Sequence, residues 1–344
     1  MGLQVTWFVI VAFFWSGYFV LEGFDFGVGM LLPFLPRTEG ERGAMFESIG
    51  PVWDGNETWL VVAGGATFAA FPTWYATMFS GYYIALLLVL FFLIVRVVSF
   101  EWRDKGATHR WRRAWLWANA VGSFGAPLIW GVGLSALLYG VPLNSKNDFT
   151  GTFWDLFHPY TVLAGIAVVL FFCFHGATFL TLRTTGALLE RAGRTARLVS
   201  IPAALVAAGF MIWTVSVAVD RNDKNVYPPV LPAIIAIALL LAAVAFIWLG
   251  RSGLAFTATA LGIASAVATL FTSLYPRVMV SSPNFGNSLT ISNASSAHYT
   301  LLVMTVVAAI ATPVILLYQG WTYHVFRGRV GGGEVPAEGT PAAG

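Results

Sequence analysis

The chain is short of almost everything a soluble protein puts on its surface. Only 10% of its 344 residues are charged, against roughly 25% in an ordinary globular domain, so soluble layers are excluded. There is one cysteine, Cys173, which rules out an intrachain disulfide, a paired-cysteine metal site and a CxxCH haem attachment. The five histidines are scattered: His109, His158, His298 and His324 fall at or near the ends of apolar runs. Only His175 lies well inside one, where a lone imidazole is expected to be a hydrogen-bonded core residue rather than a ligand. Excess charge of one sign is also lacking: the net +3 sits in connections, where it reports orientation and not a nucleic-acid partner. The opening MGLQVTWFVIVAFFWSGYFVL lacks the basic start and cleavage site of a secretory signal, so it is expected to stay as a first helix.

What the chain does have is apolar length. It is 58% hydrophobic with a mean hydropathy of +0.75. Runs able to span a bilayer occur at about 3–21, 58–72, 77–99, 115–139, 160–182, 199–219, 229–250, 254–275 and 299–326, each near the roughly 20 residues that a crossing needs. The expectation is an all-α integral membrane protein of about nine transmembrane helices, arranged as two four-helix bundles plus one peripheral helix. The second run reaches spanning length only if its helix begins near Pro51. Residues 1–327 form the membrane domain, and the apolar-poor segment 328–344 is expected to be a disordered cytoplasmic tail.

Basic residues concentrate in three connections: Arg103, Lys105, Arg110, Arg112 and Arg113; Arg183, Arg191, Arg194 and Arg197; and Arg327 with Arg329. Lys and Arg accumulate on the cytoplasmic side, which places the N-terminus outside and the C-terminus inside. The facing connections carry little, with Arg221 and Lys224 offset by Asp220 and Asp223.

Three polar constellations interrupt the apolar pattern. In GYFVLEGFDFGVGMLLPF, Glu22 and Asp25 stand three apart and share a helix face. Carboxylates inside a membrane are costly and point to function, such as a proton relay; the competing reading is that they lie beyond the hydrocarbon and meet water. Gly23, Gly27 and Gly29 beside them suit close helix packing. In SIGPVWDGNETWLVVAGG, Asp54 and Glu57 repeat the spacing, and a first-turn acid also serves the helix dipole. Together the four acids are expected to form one cluster at the cytoplasmic ends of two adjacent helices. Third, Arg96 in RVVSFEWRDK lies inside the membrane edge, where a structural ion pair with one of those acids is its expected role. Most of the 14 tryptophans suit interfacial belts; Trp53 and Trp59, inside the polar block, do not. On these residues alone, an independent proton-coupled transporter and an energy-transducing subunit both remain open.

The motifs favour the second. GFDFGVGMLLPFL, IGPVWDGNETWLVVAGGATFAAFP, FSGYYIALLLVLFFLIVR, GATFLTLRT, SLYPRVMVSS and SLTISNASSAHYTLLVMT resemble, in order, subunit II of cytochrome bd-type quinol oxidases, a family that includes the cyanide-insensitive oxidases. The resemblance runs over about residues 5–327. It implies a non-haem subunit of a respiratory terminal oxidase in the bacterial cytoplasmic membrane, not catalytic alone. Its partner would be a larger subunit I carrying two b-type haems, haem d and the quinol-oxidising loop. Small accessory subunits, membrane lipid and quinone are further partners of such complexes, and no nucleic acid is implied. The resemblance also implies a proton path through Asp54 and an oxygen route past Trp59, and matches Asp25 to an aspartate of the family; Glu57, by its spacing, and Glu22, an acid where relatives carry aspartate, are the companion candidates for the path. No cofactor or metal site is implied for this chain.

Overall fold

The fold is a bundle of long helices, described by a computed structural model for residues 2–106, 108–221 and 229–331. The charges expected at Lys224 and Asp223, and most of the expected disordered tail, lie outside these residues. In chain order the helices are α1 Leu3–Leu31, α2 Glu39–Ile49, α3 Trp53–Ala70, α4 Pro72–Gly81, α5 Tyr83–Trp102, α6 His109–Tyr139, α7 Pro159–Arg183, α8 Gly186–Arg221, α9 Val230–Trp248, α10 Ser252–Leu274 and α11 His298–Val325. Among the described residues, eight are long and apolar enough to cross a membrane: α1 and α5 to α11. This is a multi-pass membrane protein.

Two of the expected runs take a different form. The second is α3, only 18 residues long and opened by the polar Asp54, Asn56 and Glu57. The third is divided: α4 ends at Gly81 and α5 starts at Tyr83, with Tyr82 leaving helical geometry at ψ 19°. The first run is longer than its apolar core, since α1 continues to Leu31. Glu22 and Asp25 are therefore well inside a helix rather than at its end.

Helix α1 packs on α3, α6, α7 and α10, while α7 to α10 pack on one another in sequence. Glycines permit the tightest of these approaches. A Cβ on Gly27 would stand 2.0 Å from the Phe172 carbonyl oxygen and 2.8 Å from the Cα of Gly176, so only glycine lets α1 and α7 cross there. Helix α11 touches α1 and α3, and 6% of its most apolar stretch is buried, making it the peripheral helix.

The basic connections meet at one end of the bundle. Thr38 caps α2 reciprocally with Glu41, and from α2 Glu39 reaches Arg103 at 2.7 Å while Glu41 reaches Arg191 at 2.5 Å. The start of the expected tail is docked here too, Val330 N–H donating to the Arg183 carbonyl at 2.7 Å. At the other end a short antiparallel pair, β1 Arg277–Met279 and β2 Leu289–Thr290, closes over the α6–α7 connection.

Candidate functional site

Arg96 stands six residues before the end of α5 and is fully buried. A guanidinium there needs a carboxylate, and its Nη1 donates to Glu22 Oε1 from α1, also fully buried. Glu57, in the second turn of α3, lies 4.0 Å from the same nitrogen. The guanidinium is sandwiched between aromatic faces, 4.9 Å from the Phe26 ring centre and 5.7 Å from that of Phe100. Trp53 stacks on Phe100 at 5.4 Å and 7°, which gives that tryptophan a place in the wall of the cluster.

Asp25, one turn beyond Glu22, is held differently. Its Oδ2 accepts from Asn56 Nδ2 at 2.7 Å. The other side of that amide, Oδ1, accepts from Gln319 Nε2 at 2.9 Å and from the Tyr323 hydroxyl at 2.7 Å, both on α11. Asn56 thereby ties α1, α3 and α11 through one side chain. On α6, Asn119 donates to Ser99 at 2.7 Å and to the Arg96 carbonyl at 3.4 Å.

Several buried polar atoms have no hydrogen-bond partner among the described residues: Glu22 Oε2, Asp25 Oδ1, Glu57 Oε2, Arg96 Nε and Nη2, and the Tyr18 hydroxyl. All belong to this cluster or lie a turn from it. Buried polar groups are nearly always satisfied by protein or by water, and these atoms are the ones in the cluster open to a further hydrogen bond.

The structure brings together Glu22, Asp25, Glu57 and Arg96 and leaves Asp54 out of direct contact. Asp54 is exposed at the start of α3 and lines a cavity of about 410 Å3 with Trp59, Phe14, Thr58, Gln319 and Thr322. The expected cluster of four acids is thus one of three, with the fourth at a cavity between α3 and α11. Spacing of three placed Asp54 and Glu57 on one face but could not show that α5 covers only the second of them. Trp59 is buried, edge-on to Phe13 at 6.0 Å and Phe14 at 6.3 Å. It presses so closely on α1 that a Cβ on Gly17 would stand 2.2 Å from its ring.

Sequence reasoning gave no role to Asn56 and missed Gln319 and Tyr323. Asn56 stands inside the WDGNETW block, so its signal was present; the partners on α11 follow the cluster by more than 260 residues and carry no local signal.

His175 uses both ring nitrogens, Nδ1 with Thr259 Oγ1 at 2.7 Å and Nε2 with the Val20 carbonyl at 3.2 Å, and its ring stacks on Phe256. It is the hydrogen-bonded core residue expected from its setting. His158 caps α7 and meets the Tyr139 hydroxyl at 2.6 Å. Neither leaves a nitrogen suited to an axial haem bond, and no three His, Cys, Asp or Glu gather for a metal among the described residues.

Fold and site together define a polytopic helical membrane protein with an ion-paired acid cluster between its helices. Residues 3–326 match the family described as cytochrome bd terminal oxidase subunit II. A Bacillus subtilis protein, cytochrome bd ubiquinol oxidase subunit 2, is 41% identical over 96% of this chain and 97% of its own length. The Escherichia coli K12 cytochrome bd-I ubiquinol oxidase subunit 2 is 37% identical over 95% of each. A chain in the structure of bd oxidase from Geobacillus thermodenitrificans shares the fold, with TM-score 0.73 at 19% identity, covering 95% of this chain and 99% of that one. The chain belongs to the cytochrome bd terminal oxidase subunit II family and is part of an oxidoreductase complex. The independent transporter finds no support in these relatives.

Proposed function

We propose that this chain pairs with a larger haem-bearing subunit I in the bacterial cytoplasmic membrane, and that the complex oxidises quinol and reduces dioxygen to water. In this reading the chain delivers protons through the acids around Arg96. One observation carries it: a single buried guanidinium faces three carboxyls, and Asp25 among them is linked through Asn56 and Gln319 to the cavity that Asp54 lines.

Reducing dioxygen to water consumes protons, and carboxyl groups separated by water pass them on. Arg96 balances Glu22; Glu57 and Asp25 are left to exchange a proton with water at their unpartnered oxygens. Asn56 carries no exchangeable acid proton and fixes the orientation of Asp25. Asp54 collects protons at the cavity mouth, and the apolar wall of the same cavity, with Trp59 and Phe14, serves dioxygen. The two b-type haems and haem d belong to subunit I in this reading, in keeping with imidazoles here that are already engaged or sit at helix ends. The basic end faces the cytoplasm by the distribution of arginine, which leaves the N-terminus outside.

Asp54→Asn and Asp25→Asn in the assembled complex test the reading. Both variants should keep haem d absorbance yet consume oxygen more slowly, with the deficit growing toward alkaline pH, where protons are scarce. Full turnover with full haem content across the neutral and alkaline range would overturn it.

A further inference from the structure

A second polar cavity lies at the basic end of the bundle, apart from the Arg96 cluster. It measures about 210 Å3, and its wall includes Glu39 and Arg42 of α2, Arg103 after α5, and His109, Arg112 and Arg113 at the start of α6. A single water needs only about 10–15 Å3, so the space admits a phosphate with its glycerol. Four arginines face one glutamate. Glu39 engages Arg42 at 2.5 Å and Arg103 at 2.7 Å, whereas Arg112 and Arg113 have no ion-pair partner among the described residues. Arg103 is only 6% exposed, and its buried Nε has no hydrogen-bond partner among the described residues. An unanswered donor on a buried cation is costly, and an oxyanion is the group that answers it. Arginine forks match phosphate oxygens in pairs.

The rim of the cavity is apolar, with Pro33, Leu116 and Trp117, and opens onto an exposed helix face. Trp117 lines it and meets Phe34 edge-on at 5.5 Å. From Trp117 the outer face of α6 continues through Val121 and Phe124, at spacings of four and three, with exposures of 42%, 52% and 47%. Trp102, Trp111 and Trp115 cluster beside this end, with centroids 5.6 to 6.2 Å apart, as tryptophans do at headgroup level. A basic pocket that opens onto an apolar helix face at that level fits an anionic lipid.

We infer that this cavity binds the phosphate headgroup of one anionic phospholipid, whose acyl chains lie along Trp117, Val121 and Phe124. The inference needs only that the chain is embedded in a membrane, and it stands apart from the proton reading. A free phosphate would use the same arginines but not the apolar track.

The purified oxidase complex, stripped of lipid in detergent, is titrated with phosphatidylglycerol and bound lipid is counted by native mass spectrometry. The double variant Arg112→Gln/Arg113→Gln should weaken one bound phosphatidylglycerol by at least about tenfold, the loss expected for removing charged hydrogen-bond donors. Arg110→Gln, an equal charge change one residue outside the cavity wall, should leave it unchanged, and phosphatidylcholine should bind more weakly to the wild type. Haem d absorbance reports assembly; if the double variant fails to assemble, Arg113→Gln carries the test. Equal binding by the arginine variants, an equal loss in Arg110→Gln, or displacement of the lipid by an equal concentration of inorganic phosphate would each overturn the inference.

Discussion

Glutamate and arginine meet in two regions of this molecule, and their surroundings differ as much as a protein allows. Between the helices, Glu22 and Arg96 are both fully buried. At the basic end, Glu39 joins Arg42 and Arg103 with its side chain 45% exposed, and Glu41 joins Arg191 where both remain partly wet. Attraction between the charges is stronger where the dielectric is low, but so is the cost of taking each charge out of water. The interior pair is therefore one in which neither member can be removed alone. The outer pairs are more adjustable on the side of Glu39 and Arg42, where water can replace a lost partner. A chain needing a fixed cluster inside the membrane and a compliant seam outside it uses the same two residues for both.

The largest effect expected from this contrast is at Arg96. Arg96→Leu strands the Glu22 carboxylate, and breaking a buried pair from one side costs about 3–5 kcal/mol. The variant should lose most of the assembled complex, measured as haem d per unit of membrane protein. Arg96→Leu/Glu22→Leu should recover much of that loss, because two apolar side chains replace two desolvated charges, and the recovery gives the coupling directly. If Arg96→Leu assembles as well as Glu39→Gln, burial does not distinguish the two regions.

An intermediate effect is expected at Asn56, which is buried like Arg96 but uncharged. Asn56→Ala removes the donor to Asp25 and the acceptor for Gln319 and Tyr323. Leaving such groups unsatisfied costs about 1–3 kcal/mol. Because Gln319 and Tyr323 hold a helix whose main packing among the described residues is on α1 and α3, amide hydrogen exchange should rise in α11 before it rises in α7. A uniform rise would mean that Asn56 acts through the whole bundle and not through this seam.

How much of this was legible in the sequence depended on the range of the interaction. The apolar runs announced α1 and α5 to α11 because each helix is written locally, and the three-residue spacing of Glu22 with Asp25 gave a shared face for the same reason. The pairing of Arg96 was foreseeable from cost alone, since a buried guanidinium has few other options. Spacing says which residues share a face and nothing about which helix covers it, so the separation of Asp54 from Glu57 was hidden. The break at Tyr82 was passed over too, because a lone Gly81 inside an apolar run is as often tolerated within a membrane helix as it is a stop. Least visible were Gln319 and Tyr323: Asn56 stands in a marked block, but its partners arrive only with α11, more than 260 residues on.

The smallest effect is expected at the wet end, and its pH dependence is its signature. Partial burial works against it, but Arg42 and Arg103 hold the Glu39 carboxyl below its ordinary 4.5. At Glu41 partial burial again opposes, and the Arg37 backbone N–H and the Arg191 guanidinium lower it. Both acids thus release their protons more readily in the folded protein than in the unfolded chain. Their stabilisation is complete above about 4.5 and is lost as pH falls through the lower folded values. Glu39→Gln/Glu41→Gln isolates the charges, because glutamine at position 41 still serves the Thr38 capping box. Water screens these pairs, so the cost at neutral pH should be no more than about 1 kcal/mol per pair, seen as a slightly lower melting temperature at low salt. That gap should shrink with added salt and close as the wild type is acidified through the lowered folded values, where its own glutamates become neutral. A gap that persists in acid would show that these glutamates act through shape and hydrogen bonding, in which case the outer seam resembles the buried cluster more than its exposure suggests.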